Sequence, residues 1–187
     1  MAVWVPVVLA SQGPQNFWWL CNLAQFILLY AIWAPSRLLI SSQAGTVVVV
    51  GIVWTVDFVG AMATGASSFG ITTYMFNTDL PIALRVTSTY HVWLPFFVLW
   101  LCRRQGYDER GFRLQCIIGS IVIVGGWIFG DLERNLNYTV APFGVEQVWL
   151  PQPVYIPLLC AATALLVYLP GHWIVKTISP RAKAEIL

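Results

Sequence analysis

The chain has 187 residues, of which 58% are hydrophobic and only 10% are charged, and its mean hydropathy is +0.73. Soluble domains carry about 25% charged residues, so this composition excludes an ordinary soluble protein and indicates an integral membrane protein. The formal net charge of +2 does not point to a nucleic-acid partner, because the arginines are divided among short loops.

The apolar runs predict helices rather than the strands of a barrel. A segment inside lipid must satisfy its own backbone polar groups, which leaves helices and closed barrels as the structures that can cross a membrane. Barrel strands appear as alternating segments of about ten residues, whereas the apolar runs here are long and continuous. We therefore expect an all-α integral membrane protein in which residues 1–187 form a single domain.

The N-terminal segment MAVWVPVVLASQG is apolar but too short to cross a bilayer, which takes about 20 residues. It also lacks a basic residue ahead of its apolar part, as a signal peptide would have. We expect this segment to lie at the membrane interface or to pack on a neighbouring element.

Five apolar segments have about the length that a bilayer requires. Pro35 closes the first of them, and Pro157 and Pro170 predict kinks in the last. The sequence therefore predicts a bundle of five transmembrane helices with a short interfacial N-terminal segment. The predicted spans cover residues 17–34, 44–63, 81–102, 112–130 and 153–176.

The basic residues predict the orientation of this bundle, since cytoplasmic loops carry an excess of Lys and Arg. With the N-terminus outside, the inner segments contain eight of the ten basic residues. We therefore expect the N-terminus outside and the C-terminus in the cytoplasm. The eight are Arg37, Arg103, Arg104, Arg110, Arg113, Lys176, Arg181 and Lys183.

Polar residues collect in the outer halves of four predicted spans, whereas the inner halves read as nearly pure Val, Ile, Leu, Phe and Trp. Two long outer connections, residues 64–80 and 131–152, have the length typical of functional caps. We expect a polar pocket that opens to the outer face beneath these connections. Its candidate residues are Cys21, Asn22, Gln25, Asp57, Arg85, Ser88, His91, Asp131, Glu133 and Arg134.

The third span places Arg85, Ser88 and His91 three residues apart, so they share one face of a helix. Pro95 follows His91 by four residues and removes the N–H group that would bond to the His91 carbonyl. Polar groups inside a span usually face the interior of the bundle or a wet cavity. Asp57 and Arg85 allow two interpretations, a buried ion pair that fixes helix register or a direct role in function.

Several chemistries are disfavoured by the positions of the polar groups. His91 and His172 lie in opposite halves of the membrane, so they cannot hold a haem between them. The candidate residues show no metal-binding spacing, and we expect neither a metal nor another cofactor. Transport needs polar groups through both leaflets, and the inner half offers none.

A thiol–histidine pair is the most interesting catalytic possibility. Cys21 would be the nucleophile, His91 its base, and Asp57 the carboxylate that orients the histidine. Arg85 would hold the phosphate or carboxylate of a lipid headgroup. Each residue also has a purely structural interpretation: Cys21 as a packing residue, and His91 and Gln25 as hydrogen-bonding groups between helices.

The segments WWLCNLAQFILL, YHVWLP and NLNYTVAPFG, within residues 17–144, resemble the YwaF-type integral membrane protein family. That family is related to eukaryotic phospholipid acyltransferases. The resemblance implies that Cys21 accepts an acyl group, that His91 is its base, and that Asn137 and Tyr138 line the site. The chain departs from the family in having Trp19 where a histidine is expected, and in having fewer than six spans.

Two functions follow as expectations. The first is a lipid acyltransferase or thiol-dependent hydrolase, with Arg85, Ser88, Gln25, Asn137 and Tyr138 beside the substrate. The second is a non-catalytic small subunit of a larger membrane complex, which binds lipid or a cofactor and stabilises assembly. Membrane lipids are partners in both cases, and other membrane subunits are partners in the second. The ten tryptophans suit contact with either kind of partner.

Overall fold

The computed structural model describes residues 1–179, and all regular elements within them are helical. This confirms the all-α prediction. Short 3₁₀ turns occupy parts of the connections between the α-helices. The α-helices are α1 (Trp4–Gln12), α2 (Leu20–Trp33), α3 (Arg37–Thr64), α4 (Ile82–Ser88), α5 (Tyr90–Gln105), α6 (Arg110–Phe129), α7 (Gln152–Thr163) and α8 (Leu169–Ile178).

Four helical segments within residues 1–179 are long and apolar enough to cross a membrane. They are α3, the continuous pair α4–α5 (Ile82–Gln105), α6, and the continuous pair α7–α8 (Gln152–Ile178). Their length and composition fit an integral membrane protein with several membrane passes. The predicted segments 81–102, 112–130 and 153–176 each lie within two or three residues of a span-length helix.

The first predicted span, residues 17–34, is not confirmed as a full-length helix. The chain forms a 3₁₀ turn at Pro14–Trp18, an extended backbone at Trp19, and then the 14-residue helix α2. An α-helix of that length covers about 21 Å, which is less than the ~30 Å hydrocarbon core of a bilayer. The break at Trp19 therefore shortens this segment to less than the length of a span. The described residues contain four candidate spans and this one shorter apolar helix.

Helix α3 lies at the centre of the bundle and packs against α2, α5, α6 and α8. Glycines allow very close contacts between α3 and two of its neighbours, α5 and α8. A methyl group at Gly51 would come within 2.3 Å of the Pro95 ring in α5, and one at Gly171 in α8 would come within 2.3 Å of the Gly45 carbonyl oxygen. Small residues at such crossings let helix backbones approach in a membrane.

The last span contains a π-helical turn at Ala164–Tyr168, between α7 and α8. Pro170 follows this turn, and its missing N–H cannot bond to the carbonyl four residues earlier. The predicted irregularity at Pro170 thus takes the form of a widened turn. The turn carries Tyr168, which is buried against α6 beside Gly119.

The N-terminal segment forms α1 and packs on its neighbours. Trp4 and Val8 are buried, and α1 contacts α4 and the 3₁₀ turn before α2. The Trp4 ring lies 5.5 Å from Phe17, 5.6 Å from Phe26 and 6.2 Å from Tyr90, measured between ring centroids. These aromatic contacts hold α1 beside the start of α2.

The helices alternate in direction and so define two ends of the bundle. We call the end formed by residues 65–81 and 130–151 the loop face, and the opposite end, which carries Arg37 and Arg103, the arginine face. On the arginine face, Lys176 pairs with Glu109 at 2.9 Å. Arg181 and Lys183, which contributed to the predicted orientation, lie outside the described residues.

The half of the bundle near the arginine face is not purely apolar, and that expectation was wrong. The Gln43 Nε2 atom donates hydrogen bonds to Gln115 Oε1 at 2.8 Å and to Ser42 Oγ at 2.9 Å, and all three residues are buried. The predicted second span began at Ala44, whereas α3 begins seven residues earlier at Arg37. The polar residues at its start were therefore assigned to a loop.

Candidate functional site

Cys21 is the second residue of α2, at the end of that helix nearest the loop face. The helix begins there because Asn137, from the other side of the loop face, bonds to both sides of the Trp19 break. Its Oδ1 atom accepts from the backbone N–H of Leu20 at 2.9 Å, and its Nδ2 atom donates to the Trp18 carbonyl at 2.8 Å. Asn137 therefore caps the helix that carries the candidate nucleophile.

The sulfur of Cys21 lies among hydrogen-bonding groups. The backbone amides of Cys21 and Asn22 and the hydroxyl of Tyr90 are all within reach of it. The Tyr90 hydroxyl donates to Asn22 Oδ1 at 2.7 Å, and Asn22 Nδ2 donates to the Asn16 carbonyl at 2.8 Å. The thiol thus belongs to a polar network that joins α2, α5 and the turn before α2.

His91 is buried, and its ring is held between two aromatic side chains. The imidazole stacks on Trp54 of α3 at 5.0 Å and on Tyr90 at 4.0 Å, measured between ring centroids. Its Nδ1 atom lies 2.9 Å from the Ser88 carbonyl oxygen. A carbonyl only accepts hydrogen bonds, so Nδ1 carries the proton and Nε2 of the neutral ring is an acceptor.

Cys21 and His91 line the same small cavity between α2, α3 and α5. The cavity has a volume of about 10 Å³, close to the lower limit for one water molecule. Within the described residues no hydrogen bond joins the two side chains directly. The other lining residues are Val47, Val50, Gly51, Tyr90, Leu94 and Pro95.

Asp57 is buried near the loop-face end of α3, and all its hydrogen bonds go to the connection that follows. Its carboxylate accepts from Ser67 Oγ at 2.6 Å, from the Phe69 amide at 2.8 Å, and from the amide and hydroxyl of Thr72 at 2.9 and 2.7 Å. None of these bonds reaches His91 or Arg85. Asp57 therefore anchors the loop rather than orienting the histidine.

Arg85 is half-buried at the same end of the bundle. Its Nη1 atom donates to the Met75 carbonyl at 3.3 Å, and its buried Nε atom has no hydrogen-bond partner. The ion pair with Asp57, one of the two interpretations of these residues, is not formed. Part of the guanidinium is thus available to an acceptor that the described residues do not supply.

Ser88 fixes the histidine through its backbone and contacts a tyrosine through its side chain. Its hydroxyl donates to the Leu84 carbonyl at 2.9 Å and also interacts with the hydroxyl of Tyr74. Burial raises the pKa of Tyr74, and its hydrogen bonds with Ser88 and Trp54 oppose that rise. A negative charge at Cys21 would raise the pKa of Tyr74 further, which places this hydroxyl near the thiol.

Tyr138 lies between the loop-face connection and α2. Its ring packs edge-to-face on Trp19 with 5.7 Å between centroids, and its backbone has a φ of 65°. Burial raises the pKa of Tyr138, and negative charges at Cys21 and Asp57 add to the effect. The structure thus brings Tyr138 to the same region as Cys21 and Asp57.

Tyr74 and Tyr90 were missed in the sequence, although both lie beside the candidate pair. Tyr90 precedes His91 directly, and a tyrosine inside an apolar span must find a partner for its hydroxyl. That requirement was the available signal for Tyr90. Tyr74 lies in a long connection, where nothing in the local sequence marks it.

Gln25 faces a second and larger space, a groove of about 360 Å³ between α2 and α4–α5. Its Nε2 atom is buried beside the Tyr90 hydroxyl but makes no hydrogen bond of ordinary length. Tyr90 and Leu94 line both this groove and the small cavity. The two spaces are therefore separated by single side chains.

No protein-family model matches the chain, and no curated protein or solved structure shows significant similarity to it. Among residues 1–179, no three His, Cys, Asp or Glu side chains are grouped so that they could hold a metal ion. The geometry around Cys21 and His91 is therefore the main indication of function.

Proposed function

We propose that the protein is a thiol-dependent acyltransferase or hydrolase that acts on membrane lipids, with Cys21 as nucleophile and His91 as base. The observation that supports this most directly is that both residues line one small cavity. The Ser88 carbonyl holds the Nδ1 proton of His91, so the Nε2 lone pair is free to act as a base. The resemblance to YwaF-type proteins, related to phospholipid acyltransferases, agrees with this assignment.

The first step forms an acyl-enzyme. His91 Nε2 takes the thiol proton, through one water molecule where the two side chains are not in contact. The thiolate attacks the ester carbonyl of a lipid, the carbon–sulfur bond forms, and the ester carbon–oxygen bond breaks. The alcohol leaves with the proton that His91 held.

The second step releases the acyl group. A hydroxyl group of an acceptor lipid attacks the thioester in a transferase, and water attacks it in a hydrolase. His91 takes the proton of the attacking hydroxyl, the carbon–sulfur bond breaks, and the Cys21 thiol regains a proton from His91. Atoms and charges balance without another reactant.

The start of α2 supports the negative charge that develops in both steps. Backbone amides in the first turn of a helix attract anions. The amides of Cys21 and Asn22 are both within reach of the sulfur. Asn137 holds this turn in place from the loop face.

The remaining predicted residues have supporting roles in this proposal. Arg85, with its unpartnered Nε atom, is suited to a lipid phosphate near the loop face. Gln25 and Tyr138 approach the substrate from α2 and the loop. The excess of Lys and Arg on the opposite face supports an orientation with the loop face and N-terminus outside and the C-terminus in the cytoplasm.

The test is to trap the acyl-enzyme. Purified protein in nanodiscs would be incubated with phosphatidylcholine that carries a terminal alkyne on its acyl chain, and labelled protein would be detected by fluorophore coupling. We expect a label that neutral hydroxylamine removes, as it does from a thioester. Cys21→Ala should abolish the label and His91→Gln should strongly reduce it.

Cys160→Ala is the matched control, because Cys160 is also a half-buried cysteine in an apolar helix. It should label like the wild-type protein. Equal labelling of Cys21→Ala and wild type, with normal size-exclusion profiles, would sink the proposed reaction.

A second function, as a non-catalytic subunit of a membrane complex, is favoured by a row of exposed aromatic side chains on α5. Trp93 and Phe97 lie 6.5 Å apart, Phe97 and Trp100 lie 5.8 Å apart, and the Arg104 guanidinium lies 4.9 Å from the Trp100 ring centre. Trp residues in membranes usually lie at the two interfaces. A continuous row along one helix therefore suits another membrane subunit.

The subunit function predicts a different experimental result. Trp93→Leu combined with Trp100→Leu should lower the mass of the particle seen on native gels of mildly solubilised membranes. Trp173→Leu, at another exposed position, is the control. An unchanged particle in the double variant contradicts this second function.

A further inference from the structure

The groove between α2 and α4–α5 differs from the small cavity in size and in access to lipid. Its volume of about 360 Å³ lies within the range of small-molecule sites, about 300–1,000 Å³. Several of its lining residues, such as Leu29, Val86 and Trp93, are exposed on the outer surface of the helices. A molecule can therefore enter it sideways from the membrane.

Met1 of the N-terminal segment also lines the groove, and the lining side chains are polar at one end only. No Asp, Glu, Lys or Arg side chain lines it. Thr87, Thr89 and Gln25 lie towards the loop face, whereas Ile32 and Phe97 lie at the other end. This gradient complements a molecule that has a polar group followed by a hydrocarbon chain.

The length of the groove also fits one leaflet. The lining runs from Val86 to Phe97, which is eleven residue steps along α4–α5 and about 16 Å of helix. The hydrocarbon core of a bilayer is about 30 Å thick, so the groove covers about half of it. One acyl chain of a lipid in the loop-face leaflet occupies that depth.

Gln25 supplies a hydrogen-bond donor at the polar end. Its Nε2 atom is buried beside the Tyr90 hydroxyl but makes no hydrogen bond of ordinary length, and such a donor is costly until an acceptor reaches it. An ester carbonyl offers such an acceptor. Tyr90, which lines both the groove and the cavity, separates this position from Cys21.

We propose that the groove binds one ester-linked acyl chain of a membrane lipid, with the ester at Gln25 and Tyr90 and the hydrocarbon between Ile32 and Phe97. This inference rests on the proposed function, because it identifies the substrate of the Cys21 site as an acyl lipid of the surrounding leaflet. It also assigns Tyr90 as the residue that the ester must pass to reach the sulfur.

The test uses the Cys21→Ala protein, so that binding is measured without any reaction. Nanodiscs would contain phosphatidylcholine with a diazirine near the end of one acyl chain, and the cross-linked residues would be identified by mass spectrometry. We expect the labels to concentrate on Leu28, Ile32, Leu94 and Phe97. Leu29→Trp, which fills the groove, should reduce this labelling severalfold.

Leu158→Trp is the matched control, since Leu158 is an exposed leucine of α7 away from the groove. It should leave the labelling unchanged. Ile32→Trp provides a second groove-filling variant should Leu29→Trp fail to fold. Labels spread evenly over the lipid-facing sides of α6 and α7, or labelling that neither groove variant reduces, would overturn the inference.

Gln25 can be tested separately with an ether-linked diazirine lipid. We expect the ester lipid to label the groove more strongly than the ether lipid, and Gln25→Leu to remove that difference. Equal labelling by the two lipids in the Cys21→Ala protein would overturn the assignment of the ester to Gln25.

The two experiments distinguish a failure of the proposed lipid site from a failure of the proposed thiol reaction. Groove labelling in Cys21→Ala together with no hydroxylamine-sensitive label in wild type supports the lipid site and rejects the thiol chemistry. A thioester on Cys21 without groove labelling gives the opposite conclusion.

Discussion

The side-chain oxygen of Asn137 accepts a hydrogen bond from the backbone N–H of Leu20 at 2.9 Å, across 117 residues of sequence. Leu20 is the first residue of α2, and Cys21 follows it directly. A residue of the loop face therefore fixes the start of the helix that carries the candidate nucleophile. The position of the sulfur depends on the loop as much as on the helix itself.

Asn137→Ala should destabilise the protein and disturb Cys21. Losing both side-chain hydrogen bonds leaves the Leu20 amide and the Trp18 carbonyl without partners, which we expect to cost about 1–3 kcal/mol. Thermal unfolding in detergent measures the loss, and maleimide labelling reports access to Cys21. Asn77→Ala, in an exposed turn, should change neither, and equal effects of the two variants would contradict the capping role.

Asp57→Asn should release the connection that the carboxylate holds. Four donors converge on this carboxylate, and an amide, with one oxygen, cannot accept all of them. We expect a loss of about 3 kcal/mol and faster proteolysis between residues 65 and 72. Asp79→Asn is the control in an exposed turn. A wild-type cleavage rate for Asp57→Asn would show that the loop is held by other contacts.

Gln43 and Gln115 should be coupled energetically. Replacing either by Leu breaks the 2.8 Å hydrogen bond between them, so the double variant should lose less stability than the sum of the single variants. Couplings in membrane proteins average about 0.6 kcal/mol and reach about 1.7 kcal/mol. Gln43→Leu combined with Thr177→Ala, at an exposed hydroxyl, should be additive. Additivity in the glutamine pair would refute the coupling.

Gly171→Ala should force α8 away from α3. The added methyl group would lie 2.3 Å from the Gly45 carbonyl oxygen, and overpacking of this kind costs about 1–3 kcal/mol. Gly60→Ala, in α3 with nothing within 4 Å of the new methyl group, should instead stabilise the helix by about 0.5–1 kcal/mol. Thermal unfolding of the two variants should therefore shift in opposite directions, and a shared direction would contradict the close approach.

Asp108 should contribute stability at neutral pH but not at low pH. The side-chain hydrogen bond from Arg110 lowers the pKa of Asp108. A carboxyl group whose pKa is lowered by folding stabilises the protein above its unfolded pKa of about 3.9, and the effect disappears as the pH falls through the folded value. Because Arg110 is exposed, we expect less than about 1 kcal/mol.

Asp108→Asn isolates this charge, since its side-chain oxygen can still accept from the Arg110 amide. The difference in unfolding temperature between wild type and Asp108→Asn should be present at pH 7 and should shrink below about pH 4. Asp79→Asn is again the exposed control. A difference that persists unchanged into acid would show that the charge is not its source.

The sequence was sufficient for the helical class and for the approximate position of four spans, because hydropathy is a property of neighbouring residues. It placed the start of α3 seven residues too late, since Ser42 and Gln43 are polar. The partner of Gln43 is Gln115 of α6, and a bond to a distant helix has no local signature. The same limitation explains why the break at Trp19, satisfied by Asn137, was not predicted.

For the candidate site, too, the sequence indicated positions along the chain but not the contacts between distant residues. The sequence placed Cys21, Asp57 and His91 at one depth, and the structure places Cys21 and His91 on one cavity. It could not show that the Asp57 carboxylate accepts hydrogen bonds from Ser67 and Thr72 of the loop, and not from a residue of another helix. The role of Tyr90 between the cavity and the groove follows only from how α2 packs on α5.

The π-turn at Ala164–Tyr168 has a consequence for changes in chain length. Such a turn accommodates one residue more than an α-helical turn, so removing one residue there restores a regular helix while Gly171 still faces Gly45. Deletion of Leu166, which is 72% exposed, should therefore be tolerated. Deletion of Ile117 in α6, which is 57% exposed, would rotate every later residue of that helix by about 100°. The last span is thus the place where this protein can lose a residue and keep its packing.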